Sequence, residues 1–130
     1  MAQKIPNDDK LLESFRQLEH ALDFEDKVSK DRFYFSGICK SFETCLEYAW
    51  KYFKRQATDQ GLEVYSPKEA IKLAGQLGLI EDVESWLGFL NDRNVAVHDY
   101  LGIPDQVYLK TIKSFAIQMK TLISKINAPR

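Results

Sequence analysis

The length, composition and charge of the chain exclude several classes of protein. With 130 residues, 45% of them apolar and 28% charged, the chain has enough apolar side chains for a core, which excludes a disordered segment. Its net charge of −1 excludes a general electrostatic attraction to nucleic acid or membranes. The longest uncharged stretch has eight residues, whereas a membrane-spanning helix needs about 20. Since no apolar signal region is visible, we expect one cytoplasmic domain over residues 1–130, without a membrane partner.

The first half of the chain predicts two long helices. Between residues 8 and 26, apolar residues recur at gaps of four, three and four, which indicates a first amphipathic helix over about that range. A second helix is predicted to begin near Asp31, because an apolar stripe then continues for five turns as far as Phe53. The polar segment 55–65 is predicted to be a connection.

The second half predicts a short helix and two further long ones. Ser66 lies three residues before Glu69, as in a capping box, and Gly78 suits the end of the short helix. A fourth helix is predicted from about Asp82 to the break at Gly102, with an apolar stripe that includes Asn94. A fifth is predicted over 104–126. With no alternating strand pattern, the sequence predicts an all-α, up-and-down bundle of four long helices and one short helix.

Polar side chains cluster near the predicted end of the fourth helix. Arg93 and Asn94 are followed by His98, Asp99 and Tyr100. An amide on an apolar stripe needs buried partners or an open cleft. Arg93 and His98 are about 140° apart on an ideal helix, so they converge on one ligand only if the helix frays or a twofold partner completes the site. The alternative is a network of capping and hydrogen bonds at a helix end.

This segment resembles the signature of the HEPN superfamily, in the Arg-x4-His-x-Tyr form of HepT-type toxins. Further blocks resemble the nucleotidyltransferase substrate-binding protein family, a HEPN branch, and together they cover roughly residues 10–125. These blocks are Phe42-Glu43, Glu47, Ala49-Trp50-Lys51, Ser66-Pro67-Lys68-Glu69, Gly78-Leu79-Ile80, Trp86 and Asp92-Arg93-Asn94. The resemblance implies a HEPN-like helical domain that forms a homodimer.

Two functions follow from the resemblance. In the first, the protein is the toxin of a toxin–antitoxin pair, a metal-independent endoribonuclease that acts on RNA. Its partner, a separately encoded minimal nucleotidyltransferase, then neutralises it by transferring AMP to Tyr100. In the second, the protein is a non-catalytic substrate-binding subunit of a two-component nucleotidyltransferase. The chain itself lacks the G-S…D-x-D pattern of a nucleotidyltransferase, so it is not that enzyme.

The residue types in the motif suit RNA cleavage. A neutral imidazole takes or gives a proton near pH 7, which suits His98. The guanidinium of Arg93 offers a planar fork to phosphate oxygens, and Asn94 would hold either His98 or the ligand. Asp99 would support His98 by orienting it, or is simply a solvated acid. Three of these residues, Arg93, Asn94 and His98, are the predicted catalytic group.

We expect no cofactor and no metal. The chain has two histidines and no H-x-x-x-H pair, which argues against a catalytic metal site. Cys39 and Cys45 are six residues apart on one predicted helix, roughly 9 Å along its axis. That spacing is too wide for a disulfide, so both are expected to be reduced thiols near the core.

Overall fold

A computed structural model describes residues 7–99 and 101–127, and within them the chain forms α-helices and no strand. The helices are α1 (Asn7–Leu22), α2 (Arg32–Asp59), α3 (Pro67–Gln76), α4 (Val83–His98) and α5 (Asp105–Ile126). A short 3-10 turn at Glu25–Lys27 lies between α1 and α2. The predicted all-α bundle of four long helices and one short helix is therefore confirmed. In the part of the chain that is described, no helix is long and apolar enough to cross a membrane.

Three helices begin where the sequence predicted, each at a side chain that caps the free backbone amides. Asp31 accepts a hydrogen bond from the amide of Phe33 at the start of α2, over 2.9 Å. The Ser66 hydroxyl accepts one from the amide of Glu69 at the start of α3, over 3.1 Å. The Asp82 carboxylate accepts one from the amide of Ser85 at the start of α4. These caps satisfy amides that have no partner inside the helix.

The predicted end of the first helix is wrong. Helix α1 ends at Leu22, four residues before the predicted Asp26, and the chain continues in bonds between residues three apart. The ring of Phe24 stacks on Tyr34 of α2, with 5.6 Å between centroids. This contact turns the chain toward α2. The acidic side chains that follow would also lie at the negative end of a longer helix, where they are unfavourable.

The predicted connection over 55–65 is also partly wrong, because α2 continues to Asp59. Ala57 is fully buried, and Arg55 forms an ion pair with Asp8 at the start of α1. These contacts favour helix despite the polar composition of the segment. The helix ends two residues before Gly61, whose φ of 81° suits glycine, and the amide of Leu62 bonds to the carbonyl of Ala57. This is a Schellman motif.

The long helices run up and down around one hydrophobic core. The ion pair between Arg55 and Asp8 joins the end of α2 to the start of α1, so these two helices are antiparallel. The pair between Arg32 and Asp105 joins the starts of α2 and α5, so these two are parallel. All five helices contribute to the core, whose largest fully buried side chains are Trp86, Phe35, Phe42, Phe53, Phe115, Leu11, Leu18, Ile38, Leu46, Ile71, Ile112 and Met119.

Candidate functional site

The candidate site lies on the last turns of α4 and the turn that follows it. The amide of Asp99 still bonds to the carbonyl of Val95, over 2.8 Å, and closes the last helical turn. The Asp99 carboxylate then accepts a hydrogen bond from the amide of Leu101, over 3.2 Å. An added Cβ at Gly102 would lie 2.9 Å from this carboxylate, so a larger residue there would displace the Asp99 side chain. Asp99 therefore holds the turn, and no described hydrogen bond joins it to His98.

Arg93, and not Asn94, is the polar residue on the core-facing stripe of α4. The buried residues Trp86, Phe89 and Ala96 lie on one face of α4. Arg93 lies on the same face, because the four positions 86, 89, 93 and 96 are separated by three, four and three residues. Arg93 is accordingly half-buried, whereas Asn94 is exposed. The sequence-predicted stripe through Asn94 is wrong in this respect, because the bulky Trp86 and Phe89 rings rotate α4 so that position 94 faces outward.

The structure brings Arg93 and Asn94 together but leaves His98 apart. Arg93 Nη1 donates a hydrogen bond to Asn94 Oδ1 over 3.2 Å. His98 is exposed in the last turn of α4, with no hydrogen bond or ion pair among the described residues. Tyr100, the predicted AMP acceptor, lies outside the described residues. One copy of the chain therefore presents an Arg–Asn pair and a free imidazole at one helix end, without direct contact between them.

Two polar residues of α5, Thr111 and Tyr108, are near the Arg93 segment but were not among the predicted site residues. Thr111 of α5 donates a hydrogen bond to the carboxylate of Asp92, over 2.7 Å, and so ties α5 to the residue before Arg93. Tyr108 is 3% exposed, and its hydroxyl has no partner among the described residues. Burial raises the pKa of the Tyr108 phenol, while the charge of Arg93 opposes this shift. A Thr and a Tyr within an apolar helix stripe were the only available sequence signal.

Exposed apolar side chains surround the end of α4. Val97 is 53% exposed, Leu101 is 79% exposed and Val107, in the first turn of α5, is 53% exposed. Apolar side chains gathered on a surface are typical of protein interfaces. Two of these exposed apolar side chains, Val97 and Leu101, lie one and three residues from His98 in the sequence.

An open cleft of about 410 Å³ lies beside the Arg–Asn pair, between α3 and α4. It is lined by Leu87, Leu90, Asn91 and Asn94 of α4 and by Lys68 of α3. Asn94 thus belongs both to this cleft and to the hydrogen bond with Arg93. Polar and apolar groups converge here next to the predicted catalytic residues.

The two cysteines lie away from the site, and their thiols are unreactive near neutral pH. Both Cys39 and Cys45 are buried and form no disulfide, as the sequence predicted. Burial raises the pKa of each thiol to about 12, so neither forms the reactive thiolate near neutral pH. Among the described residues, no group of three His, Cys, Asp or Glu side chains is placed to hold a metal ion.

One comparison with known proteins identifies the chain. The model of the family described as nucleotidyltransferase substrate binding protein like matches residues 7–128. No curated protein and no solved structure matched the chain. The family match spans all five helices and the candidate site. The chain therefore belongs to the nucleotidyltransferase substrate binding protein-like family, and the resemblance seen in its sequence blocks is confirmed.

Proposed function

We propose that this protein is a HEPN-type, metal-independent endoribonuclease, the toxin of a pair with a minimal nucleotidyltransferase. Arg93, Asn94 and His98 are the proposed catalytic residues. The observation that carries the proposal is the hydrogen-bonded pair of Arg93 and Asn94 on the same helix end as the exposed imidazole of His98. An accessible cation and an accessible titratable base are the groups that phosphate transfer requires.

The proposed reaction is attack of the RNA 2′-hydroxyl on the adjacent phosphorus. The bond from phosphorus to the 5′-oxygen breaks, which leaves a 2′,3′-cyclic phosphate and a 5′-hydroxyl. One imidazole takes the 2′ proton, a second gives a proton to the 5′-oxygen, and Arg93 stabilises the negative charge that develops on the phosphate. Since each copy supplies His98 once, a homodimer with two motifs in one cleft supplies both imidazoles.

The exposed apolar side chains around the motif support a homodimer at this position. Val97 and Leu101 lie within three residues of His98 in the sequence, and Val107 lies in the first turn of α5. All three side chains are exposed in one copy and would be buried in the proposed dimer. Covering them would remove water from the cleft, and a drier cleft strengthens the interaction of Arg93 with phosphate. The proposal places this dimer in the cytoplasm, where its RNA substrate is.

Neutralisation by AMP transfer to Tyr100 is the regulatory part of the proposal. The family description names a nucleotidyltransferase, and Tyr100 lies two residues after His98 in the sequence. An AMP group on Tyr100 would add a bulky anion beside the imidazole. It would therefore exclude RNA both by volume and by charge.

The second candidate function is a non-catalytic substrate-binding subunit of a two-component nucleotidyltransferase. It is compatible with the family description, nucleotidyltransferase substrate binding protein like. The residues between Asn94 and His98 are Val95, Ala96 and Val97, which bring no polar group between the Arg–Asn pair and the imidazole. In this alternative, the surface around Arg93 binds the substrate of the partner enzyme and His98 transfers no proton.

Growth after induced expression separates the two candidates. We expect the wild-type chain to arrest growth, His98→Ala to relieve the arrest, and co-expression of the partner nucleotidyltransferase to restore growth with a mass increase of one AMP. His20→Ala is the matched control, because His20 is the other histidine and is exposed on α1. Growth arrest that persists in His98→Ala would contradict the toxin proposal. A defect confined to nucleotide transfer by the partner would favour the subunit.

A further inference from the structure

Tyr108 of α5 carries a hydroxyl whose position is fixed by the packing of its ring. The residue is 3% exposed. Its ring meets the rings of Phe42 and Phe35 of α2 edge-to-face, with 5.6 and 6.3 Å between centroids. Close packing of this kind holds a side chain in one rotamer. Only the hydrogen of the hydroxyl is then able to rotate.

The packing of the helices does not account for the Tyr108 hydroxyl. It has no hydrogen-bond partner among the described residues, and a buried hydroxyl without a partner destabilises a fold. A phenylalanine ring would fill the same space without this penalty. Because unpaired polar groups are rare in native cores, we look for a partner that becomes available when a ligand binds.

The Tyr108 hydroxyl lies near the segment of α4 that carries Arg93. Burial is the largest cause of the raised pKa of the Tyr108 phenol; the charges of Glu43 and Asp92 add to this shift, and that of Arg93 opposes it. Thr111, which shares a face of α5 with Tyr108, donates a hydrogen bond of 2.7 Å to Asp92. Contact and charge therefore both place this face of α5 beside residues 92 and 93.

Arg93 has donors available for an acceptor on its buried side. A guanidinium has several N–H groups in one plane, and the bond from Nη1 to Asn94 uses one of them. Arg93 is half-buried, so a phosphate reaches it from the exposed side. A carboxylate such as Glu43 on the buried side would compete with the phosphate for the positive charge. A neutral hydroxyl would orient the guanidinium and leave its charge for the phosphate.

We propose that Tyr108 is a positioning residue, whose hydroxyl accepts a hydrogen bond from the inner edge of the Arg93 guanidinium when the outer edge holds a phosphate. Held at both edges, the planar fork keeps one orientation toward the phosphate oxygens. Tyr108 itself contacts no substrate and acts through Arg93. The inference rests on the proposed function for the phosphate that Arg93 holds.

Tyr108→Phe removes the hydroxyl and keeps the ring, so it separates this role from a structural one. Because the hydroxyl has no partner in the fold, we expect the midpoint of urea unfolding to equal that of the wild-type protein or to exceed it. We expect kcat for RNA cleavage in EDTA to fall about tenfold or more, with KM changed by less than about twofold, because Arg93 keeps its charge but loses its orientation.

Tyr52→Phe is the matched control for cleavage. Tyr52 is 8% exposed, and its ring lies under the guanidinium of Arg55, at 5.5 Å from the ring centroid. Arg55 in turn pairs with Asp8 at the start of α1, so this tyrosine belongs to the end of α2 and not to the α4–α5 contact. We expect Tyr52→Phe to cleave RNA at the wild-type rate.

The NMR signals of the Arg93 side-chain N–H groups test the hydrogen bond without cleavage. Their loss in Arg93→Lys identifies them. The probe is a 2′-O-methyl oligonucleotide, which lacks the attacking hydroxyl and stays intact. We expect the probe to slow the exchange of these hydrogens with water in the wild-type protein, and to slow it much less in Tyr108→Phe.

The outcomes separate this inference from the nuclease proposal. Slowed exchange that depends on the Tyr108 hydroxyl, in a protein that cleaves no RNA, would retain the inference and contradict the nuclease. Equal exchange and equal cleavage in wild-type protein and Tyr108→Phe would overturn the inference and leave the nuclease intact. A lower unfolding midpoint in Tyr108→Phe would assign the hydroxyl a structural role and overturn it too. A probe that leaves the Arg93 signals of the wild-type protein unchanged would overturn both.

Discussion

Neighbouring residues of the motif occupy different environments, and this difference decides what each is able to do. Arg93 lies half-buried on the core-facing stripe of α4, while Asn94 and His98 are exposed. The guanidinium of Arg93 donates an exposed hydrogen bond of 3.2 Å to the neighbouring Asn94, which restrains it before any ligand binds. Among the described residues, none bonds to the exposed His98 ring, so in the proposed mechanism a partner copy or the substrate orients it.

The sequence named all of these residues but not their environments. Arg93, Asn94 and His98 were predicted as site residues from the resemblance of this segment to the HEPN signature. The rotation of α4 about its axis was not, because an apolar stripe through Leu87 and Asn94 fits the helical period as well as the observed one. Only the packing of large rings against the other helices selects between two such faces.

Asp82, which caps α4, gives a prediction about pH. Hydrogen bonds from the hydroxyl and amide of Ser85 hold the pKa of the Asp82 carboxyl below its usual value. A carboxyl whose pKa is lowered by folding stabilises the fold above its unfolded pKa of about 3.9, and this stabilisation is lost as the pH falls through the folded pKa.

We therefore expect wild-type protein to have a higher free energy of unfolding than Asp82→Asn at pH 7. This difference should disappear once the pH is below the folded pKa of Asp82. Urea unfolding of both proteins at several pH values measures it. Asp59→Asn is the control, because Asp59 is exposed at the other end of a helix, in the last turn of α2. A difference that stays constant from pH 7 down to pH 2 would contradict this role of the cap.

At the scale of helices, the contact between α4 and α5 supports the candidate site. The hydrogen bond from Thr111 to Asp92 is half-buried, so removing the donor leaves a carboxylate without its partner. We expect Thr111→Val to lower the free energy of unfolding by about 1 kcal/mol, measured by urea denaturation. Thr121→Val, at an exposed position of the same helix, should change it much less. An equal effect of both substitutions would mean that helix propensity, and not the hydrogen bond, determines the loss.

The sequence predicted helix starts better than helix ends. Capping residues such as Ser66 and Asp31 act within a few residues of themselves, so their effect is visible in the sequence alone. The end of α1 depends on the contact of Phe24 with Tyr34, and the extension of α2 depends on the burial of Ala57. Both depend on how two helices pack, which local sequence does not encode.

The surroundings of the candidate site also depend on how helices pack, and local sequence does not predict them. The cleft joins Lys68 of α3 to Asn91 of α4, residues that are far apart in the chain. The Asp92–Thr111 bond likewise joins two helices. Neither pairing has a sequence signal, since each arises only when α3 or α5 packs against α4.

At the scale of the whole molecule, one copy carries the parts of the proposed site without assembling them. Arg93 and His98 are about 140° apart on a regular helix, and α4 is helical through His98, so the chain does not fray to bring them together. The exposed side chains of Val97, Leu101 and Val107 lie at the same end of the molecule. A twofold dimer through this surface would complete the site and cover these apolar groups, which is why we regard dimerisation and catalysis as one proposal.

Cleavage of RNA by purified protein in EDTA tests the central claim most directly. We expect wild-type protein and His20→Ala to cleave equally, and His98→Ala and Arg93→Ala to lose about 100-fold or more in rate. The products should carry 2′,3′-cyclic phosphate and 5′-hydroxyl ends. Cleavage that EDTA abolishes, or that persists unchanged in both variants, would contradict a metal-independent nuclease built on Arg93 and His98. Absence of cleavage by the wild-type protein would contradict it as well and favour the substrate-binding subunit.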